Sequence, residues 1–97
     1  MQFVVIAYDA PDALEKRLAV RTRHFENLGK IDGRVLCGGG LLDDAGKMKG
    51  SVIVLDFPDR DRLDAYLKTE PYILAGVWEK VTVEPMNVAL LNGERVG

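Results

Sequence analysis

The chain has little of several residue types, with one cysteine, one histidine and one tryptophan among 97 residues. A lone cysteine, Cys37, cannot form an internal disulfide, so nothing requires an oxidising compartment. No apolar run approaches the roughly 20 residues that cross a bilayer, and the first residues lack the basic front of a signal peptide. We therefore expect a cytoplasmic protein that does not enter a membrane.

An excess of positive charge is missing too. Lysine and arginine total 13 against 15 acidic residues, which gives a net charge of -2. Without a basic surface to neutralise phosphates, we expect no nucleic-acid partner. The hydrophobic content of 47% and the charged content of 29% are those of a folded chain. At this length we expect one domain over residues 1–97, with residues 86–97 as a C-terminal tail.

Four segments have the composition of β-strands: residues 2–8, 35–42, 51–57 and 78–84. In the first and third, both alternating faces are apolar, which is typical of central strands covered on two sides. The fourth alternates between valines and polar residues, as an outer strand with one wet face does. The second contains Gly38, Gly39 and Gly40, which predict a bulge or a glycine floor beneath a pocket.

Residues 12–31 have the spacing of an amphipathic helix, since apolar side chains recur at three- and four-residue steps. The side chains predicted to face the core are Leu14, Leu18, Phe25, Leu28 and Ile31. Asp12 and Glu15 resemble a capping box at the start. The β-branched residues Val20 and Thr22 predict an interruption, with Thr22 capping a second helix.

A shorter helix is predicted over residues 59–69, with Leu63, Tyr66 and Leu67 pointing inward. Pro71 ends it, because the residue before a proline is pushed out of helical geometry. Residues 72–75 are expected to add one further turn.

The elements therefore run β, α, β, β, α, β, with a hairpin between residues 33 and 57 at the centre. Strands joined through a helix lie parallel, and the hairpin supplies the tight antiparallel link. Placing the two apolar strands in the middle gives the sheet order 4-1-3-2, a ferredoxin-like α+β sandwich.

Two helices cover only one face of a four-stranded sheet, yet the central strands are apolar on both faces. Burial of a Val, Ile, Leu or Phe side chain contributes about 1.5–3 kcal/mol. That is large beside a total stability of about 5–15 kcal/mol. We therefore expect a homodimer in which a second copy covers the other sheet face.

His24 is the only histidine, and imidazole is well suited to general acid or base catalysis near neutral pH. Glu70 is oriented by the following Pro71, so its carboxylate can approach His24 if both helices end over one sheet edge. A carboxylate that orients a histidine is a recurrent catalytic arrangement. The alternative is a hydrogen-bonded histidine with a purely structural role.

Three polar residues are candidates for ligand binding. Arg17 and Arg21 lie four apart on one helical face, where they are either solvated or form a clamp for a carboxylate or enolate. Ser51, after the central loop, either donates a hydrogen bond to a ligand or caps the turn.

Other motifs receive a structural interpretation. The glycine triplet does not have dinucleotide or P-loop spacing, so we predict no cofactor. Asp43 and Asp44 lack histidine or cysteine partners, so we interpret them as turn residues and predict no metal site. Cys37 has no neighbouring base and is expected to be an inert buried thiol.

Several segments, taken in order, closely resemble the YCII-related (YciI-like) proteins, over essentially the whole chain to Pro85. They are LEKRLAVRTRH at 14–24, DGRVL at 32–36, GGLL at 39–42, GS at 50–51 and EPYILAGV at 70–77. The resemblance implies a dimeric α/β barrel of ferredoxin-like halves, with a histidine and an aspartate proposed as the catalytic centre. His24 matches the histidine. Glu70 stands where the family more often has the aspartate of an Asp-Pro-aromatic motif, in which Tyr72 is the aromatic residue.

This family is similar to muconolactone-isomerase-like barrels and to a dehydrochlorinase of chlorinated hydroxyquinones. The resemblance implies proton transfer or elimination on a small cyclic molecule, with His24 as base or acid and Glu70 orienting it. The residues expected to bind the substrate are Arg17, Arg21, Ser51 and Tyr72. The competing class is a non-catalytic ligand-binding or accessory dimer. A pocket with His24 and Glu70 in hydrogen-bond reach favours catalysis, whereas a filled, dry core around His24 favours a scaffold.

Overall fold

A four-stranded sheet carries the helices on one side, and the computed structural model describes all of residues 1–97. Its strands are β1 (Gln2–Asp9), β2 (Arg34–Leu42), β3 (Met48–Asp56) and β4 (Trp78–Met86). The helices are α1 (Leu14–Leu28), α2 (Arg60–Leu67) and the single turn α3 (Pro71–Leu74). Two short strands, β5 (Leu90–Leu91) and β6 (Glu94–Arg95), follow. None of the helices has the length and apolar character that a membrane crossing requires.

The sheet order is β2-β3-β1-β4, and every neighbouring pair is antiparallel. This is the predicted order read from the other edge, so the ferredoxin-like α+β fold is confirmed. β1 and β3 lie in the centre, as their two apolar faces indicated. β4 is an edge strand, and it accommodates Pro85 there because a proline cannot donate to a neighbouring strand.

The core lies between the helices and one face of the sheet. On β1 the buried side chains are Phe3, Val5 and Ala7, and on β3 they are Ile53 and Leu55. These residues share a face because side chains alternate along a strand and because the register pairs Phe3 with Leu55 and Val5 with Ile53.

Two predictions about the ends and continuity of α1 were wrong. The helix runs without a break through Val20 and Thr22, since β-branched residues lower helix propensity only slightly. Its N-cap is Ala13, which makes no side-chain cap hydrogen bond. Asp12 has a φ of 58°, a left-handed conformation that does not place its side chain as an N-cap.

The predicted apolar face of α1 was wrong at two of its five positions, while Leu28 and Ile31 pack against the core as predicted. Leu18 and Phe25 are 61% and 55% exposed, while the buried residues of the helix are Arg17, Val20 and His24. Spacings of three, four and seven residues place these three on one face. The helix is therefore rotated so that a cation and an imidazole, rather than its largest apolar side chains, face the sheet.

The connection between β2 and β3 is a turn built on Asp43. One carboxylate oxygen of Asp43 accepts hydrogen bonds at 2.9 Å from the backbone N–H groups of Ala45 and Lys47. Asp43 therefore acts as a turn residue. Cys37 is exposed on the edge strand β2, so the prediction of a buried thiol was wrong.

The tail after β4 is an ordered hairpin. Asn92 and Gly93 have φ values of 52° and 78°, the geometry of a two-residue turn that matches strand twist. Val88 is buried, and its N–H donates to the Gln2 side-chain oxygen at 2.7 Å. The tail is thereby fixed to the first strand.

Candidate active site

A cavity of about 700 Å³ lies between α1 and the sheet surface formed by β2 and β3. Gly38 and Gly40 pair with Ile53 and Ser51, whose side chains face the helices, so this part of β2 presents no side chain to the space above it. The register of β2 shifts on both sides of the glycines. The triplet therefore combines flanking bulges with a glycine floor, and the Met48 side chain lies over Gly40. The polar side chains in the cavity wall are Arg17, Arg21, His24, Ser51 and Tyr72.

His24 and Glu70 are in direct contact, although 46 residues separate them along the chain. The His24 Nδ1 to Glu70 Oε1 distance is 2.7 Å, and the Glu70 side chain is completely buried. His24 comes from the second half of α1, and Glu70 is the N-cap of α3 with Pro71 at the first helical position. Proline is favoured there because its φ is preset for the helix and it has no N–H to leave unpaired.

Three donors surround the Glu70 carboxylate. The Tyr66 hydroxyl donates to Oε2, the Tyr72 backbone N–H donates to Oε1 at 3.1 Å, and His24 Nδ1 meets Oε1. Burial, followed by the nearby Glu70 charge and the hydrogen bond to it, raises the pKa of Tyr66 far above its ordinary value. Tyr66 is therefore a phenol that donates, and Glu70 is held as an acceptor. Because Glu70 accepts, His24 carries a proton on Nδ1 and donates it to Glu70 Oε1.

The other ring nitrogen of His24, Nε2, makes no hydrogen bond within the chain and is not sealed from solvent. The ring stacks on Tyr72, with 4.2 Å between ring centroids and 19° between planes. Burial raises the pKa of the Tyr72 phenol, with Glu70 and Asp9 acting in the same direction and Arg17 and Arg21 opposing them. The cavity wall therefore combines an imidazole whose Nε2 has no partner in the chain with a neutral phenol.

Arg17 is held in a second buried pair. Its Nη1 lies 3.0 Å from both carboxylate oxygens of Asp9, and its Nη2 donates to Ser51 Oγ at 2.7 Å. The guanidinium carbon also lies 4.8 Å from the centre of the Tyr72 ring. Of the alternatives for Arg17, the solvated face is wrong, because the residue is buried.

Arg21 differs from Arg17 in having no carboxylate partner. It is exposed, lines the cavity and lies over the Phe25 ring at 5.2 Å. Arg21 therefore supplies a cationic charge at the cavity that no residue of the chain neutralises. No group of three histidine, cysteine or acidic side chains that could hold a metal ion is present.

The structure brings His24 to Glu70, and Arg17 to Ser51, with Tyr72 in contact with both His24 and Arg17. Sequence reasoning missed two residues of this arrangement. Asp9 received no role from the sequence, although the alternation that puts Phe3 and Ala7 on the helix side also places Asp9 there. Tyr66 was recognised as an inward residue, but the function of its hydroxyl was not.

The YCII-related domain matches residues 1–87 of the chain. Protein YciI of Escherichia coli O6:H1 is 36% identical over 93 residues, covering 88% of this chain and 95% of that protein. Protein YciI of Shigella flexneri matches to the same extent. An uncharacterised protein of Haemophilus influenzae is 33% identical over the same length.

Solved structures show the same fold. The 5-chloro-2-hydroxyhydroquinone dehydrochlorinase TftG from Burkholderia phenoliruptrix, in complex with 2,5-dihydroxybenzoquinone, superposes with a TM-score of 0.80 at 23% identity, covering 90% of this chain and 94% of TftG. An antibiotic biosynthesis monooxygenase superposes with a TM-score of 0.58 at 18% identity, covering 90% and 96%. By sequence, the chain belongs to the YCII-related family.

Proposed function

We propose that this chain is a small enzyme that catalyses proton transfer or elimination on a small cyclic, oxygen-bearing substrate, using its own side chains as acid and base. The observation that carries the proposal is the 2.7 Å contact between His24 Nδ1 and the buried Glu70 carboxylate, in the wall of an open cavity. A filled core around His24 would have favoured a scaffold, and the cavity argues against one.

His24 is the general base in this proposal. With Nδ1–H directed at Glu70, the lone pair of Nε2 is available to accept a proton from a C–H or O–H group of the substrate. The imidazolium formed is stabilised by Glu70, whose orientation is fixed by its other donors. Returning the proton to another atom completes an isomerisation. Departure of a halide with its bonding electrons completes an elimination, and His24 then releases the proton to solvent.

Binding of the substrate is assigned to Arg17, Arg21, Ser51 and Tyr72. As the reaction moves electrons toward a ring oxygen, Arg21 and the Tyr72 phenol offer a charge and a hydrogen bond to it. The structural neighbour TftG is named as a dehydrochlorinase of a chlorinated hydroxyhydroquinone. This supports a substituted hydroxyquinone as the first substrate class to test.

The test is release of chloride from 5-chloro-2-hydroxyhydroquinone, together with exchange of ring hydrogens into D₂O followed by NMR. We expect His24→Gln to reduce the rate about 100-fold or more, the usual contribution of a positioned acid or base. Arg23→Gln is the matched control, since Arg23 is an exposed residue of the same helix outside the cavity. A folded His24→Gln protein with full turnover would rule out the mechanism.

We also propose that the enzyme is a homodimer formed through the sheet face opposite the helices. Val4, Ile6, Val52 and Val54 lie on that face and are only partly buried in the single chain. Covering them would remove apolar surface from water on both copies. Sedimentation equilibrium at micromolar concentration is expected to give twice the chain mass, and a monodisperse folded monomer would contradict the proposal.

A further inference from the structure

We propose that Asp9, Arg17 and Ser51 together form an oxyanion-binding device, in which Ser51 donates its hydroxyl hydrogen to a phenolate or enolate oxygen in the cavity. Of these three residues only Ser51 donates to that oxygen, and Asp9 and Arg17 act on it by positioning Ser51. The inference rests on the proposed function, because it takes the cavity as the substrate site. It concerns binding of charge rather than proton transfer, so it can be tested separately.

Arg17 is held too firmly to be a mobile clamp for a ligand. The side chains of Arg17 and Asp9 are only 7% and 6% exposed, and a single guanidinium nitrogen lies 3.0 Å from both oxygens of the carboxylate. Asp9 ends the central strand β1 and Arg17 lies in the first half of α1, so both come from rigid elements. The charge of Arg17 is therefore compensated within the protein.

The Ser51 hydroxyl has a hydrogen that no group of the chain accepts. Its oxygen accepts a hydrogen bond from Arg17 Nη2 at 2.7 Å, and its hydrogen has no acceptor elsewhere in the chain. Ser51 lines the cavity beside Gly40, its partner across the β2–β3 register. A hydroxyl that accepts from a cation is polarised and becomes a better donor. The hydrogen of Ser51 is therefore available to a ligand oxygen.

The charged groups of the cavity wall determine which ligand oxygen the cavity favours. Arg21 is a cation of the cavity wall without a carboxylate partner, His24 is a base in the same wall, and Tyr72 is a phenol kept protonated by burial. No aspartate or glutamate side chain lines the cavity, because Asp9 and Glu70 lie behind the residues that they hold. A wall of donors and cations without a carboxylate favours an anionic oxygen over a neutral one.

The experiment uses 4-nitrophenol, whose ionisation changes its colour and whose binding requires no turnover. We expect the wild-type protein to bind the phenolate more tightly than the phenol, which lowers the pKa of the bound probe. Ser51→Ala should weaken phenolate binding about 10- to 100-fold, as loss of a hydrogen bond to a charged group does. Ser51→Thr keeps the hydroxyl and should retain most of the shift.

Asp9→Asn separates the proposal from direct binding by Arg17. If Asp9 and Arg17 position Ser51, Asp9→Asn weakens phenolate binding. The double variant, Asp9→Asn with Ser51→Ala, should then bind no more weakly than Ser51→Ala alone. If instead Arg17 is a direct clamp, removal of its carboxylate partner tightens phenolate binding and overturns the proposal. Asp64→Asn, which breaks the exposed pair with Arg60, is the matched control and should bind the probe unchanged.

Three further results would overturn the device: no binding of 4-nitrophenol by the wild type, no preference for its phenolate form, or unchanged binding by Ser51→Ala. Should Asp9→Asn fail to fold, the comparison of Ser51→Ala with Ser51→Thr still decides the role of Ser51. A wild-type protein that binds phenolate as expected but releases no chloride would reject the proposed reaction and leave the device standing.

Discussion

The face of α1 that meets the sheet carries two buried pairs that resemble each other and differ in one respect. Arg17 with Asp9 and His24 with Glu70 each join a basic side chain of the helix to a buried or nearly buried carboxylate from elsewhere in the fold. The first pair has a fixed charge on both members. In the second, the carboxylate is held by a phenol and a backbone N–H, and the imidazole can gain or lose a proton. One helix face thus carries both a pair with fixed charges and a pair that contains an imidazole.

Removal of Asp9 should have the largest effect on stability. Asp9→Ala leaves the Arg17 charge buried without a partner, and we expect a loss of about 3–5 kcal/mol in the free energy of unfolding, measured with urea. Asp64→Ala removes a carboxylate from an exposed pair on α2 and should cost about 0–1 kcal/mol. Equal losses in the two variants would show that the buried charge at Arg17 is solvated after all.

Neutralising Glu70 should lower the free energy of unfolding less than removal of Asp9 does. The reason is that a histidine, unlike an arginine, can become neutral. Glu70→Gln keeps the shape and one acceptor oxygen, but it places an NH₂ group near a second donor, and we expect a loss of about 2 kcal/mol. Turnover should fall as well, since the imidazolium loses its counter-charge. If Glu70→Gln costs as much as Asp9→Ala, the two pairs are alike in charge, and His24 is permanently protonated.

Glu70→Asp places the shorter carboxylate that the family resemblance leads one to expect. The Glu70 side chain accepts from Tyr66 on α2 and from His24 on α1, so shortening it by one methylene cannot preserve both contacts without a shift of α3. We expect turnover between those of the wild type and Glu70→Gln. Full activity in Glu70→Asp would show that α3 adjusts its position.

Much of the fold could be predicted from the sequence because it is encoded locally. The two apolar faces of β1 and β3 identify the central strands, and with the element order they leave one topology. The rotation of α1 is not local in this sense. It depends on Glu70 and Ser51, which lie 46 and 34 residues from their partners in the chain, so apolar spacing favoured Leu18 and Phe25 as the buried face.

The site was predictable to a lesser degree. The resemblance pointed to His24 and Glu70 as a pair, and the structure places them in contact, while their catalytic role stays a proposal. The orientation of Asp9 could have been predicted from the alternation along β1, which the preceding apolar residues establish. The tail hairpin could have been predicted from Asn92 and Gly93, a dipeptide typical of a tight turn between strands.

Tyr66→Phe tests how firmly the Glu70 carboxylate is held. It removes one donor to a charged acceptor that keeps two others, so we expect a loss of about 1.5 kcal/mol in the free energy of unfolding and a smaller fall in turnover than in Glu70→Gln. Thr22→Val, which removes a hydroxyl from an exposed position on α1, serves as the control and should change little. An unaltered stability in Tyr66→Phe would mean that Glu70 is fixed by His24 and the Tyr72 N–H alone.

The smallest effect on stability is expected at high pH. It comes from Tyr66 in the Glu70 cluster and not from the fixed-charge pair of Arg17 and Asp9. Burial raises the pKa of Tyr66 in the folded protein, so above the ordinary tyrosine pKa of about 10 the unfolded chain loses a proton that the folded chain keeps. The contribution of Tyr66 to the free energy of unfolding is therefore fully present below pH 10 and is lost above it, by about 1.4 kcal/mol at pH 11. Urea unfolding between pH 9 and 11 should show this fall in the wild type and in Asp9→Asn, and a shallower fall in Tyr66→Phe. A slope that is equal in all three would place the alkaline sensitivity outside the Glu70 cluster.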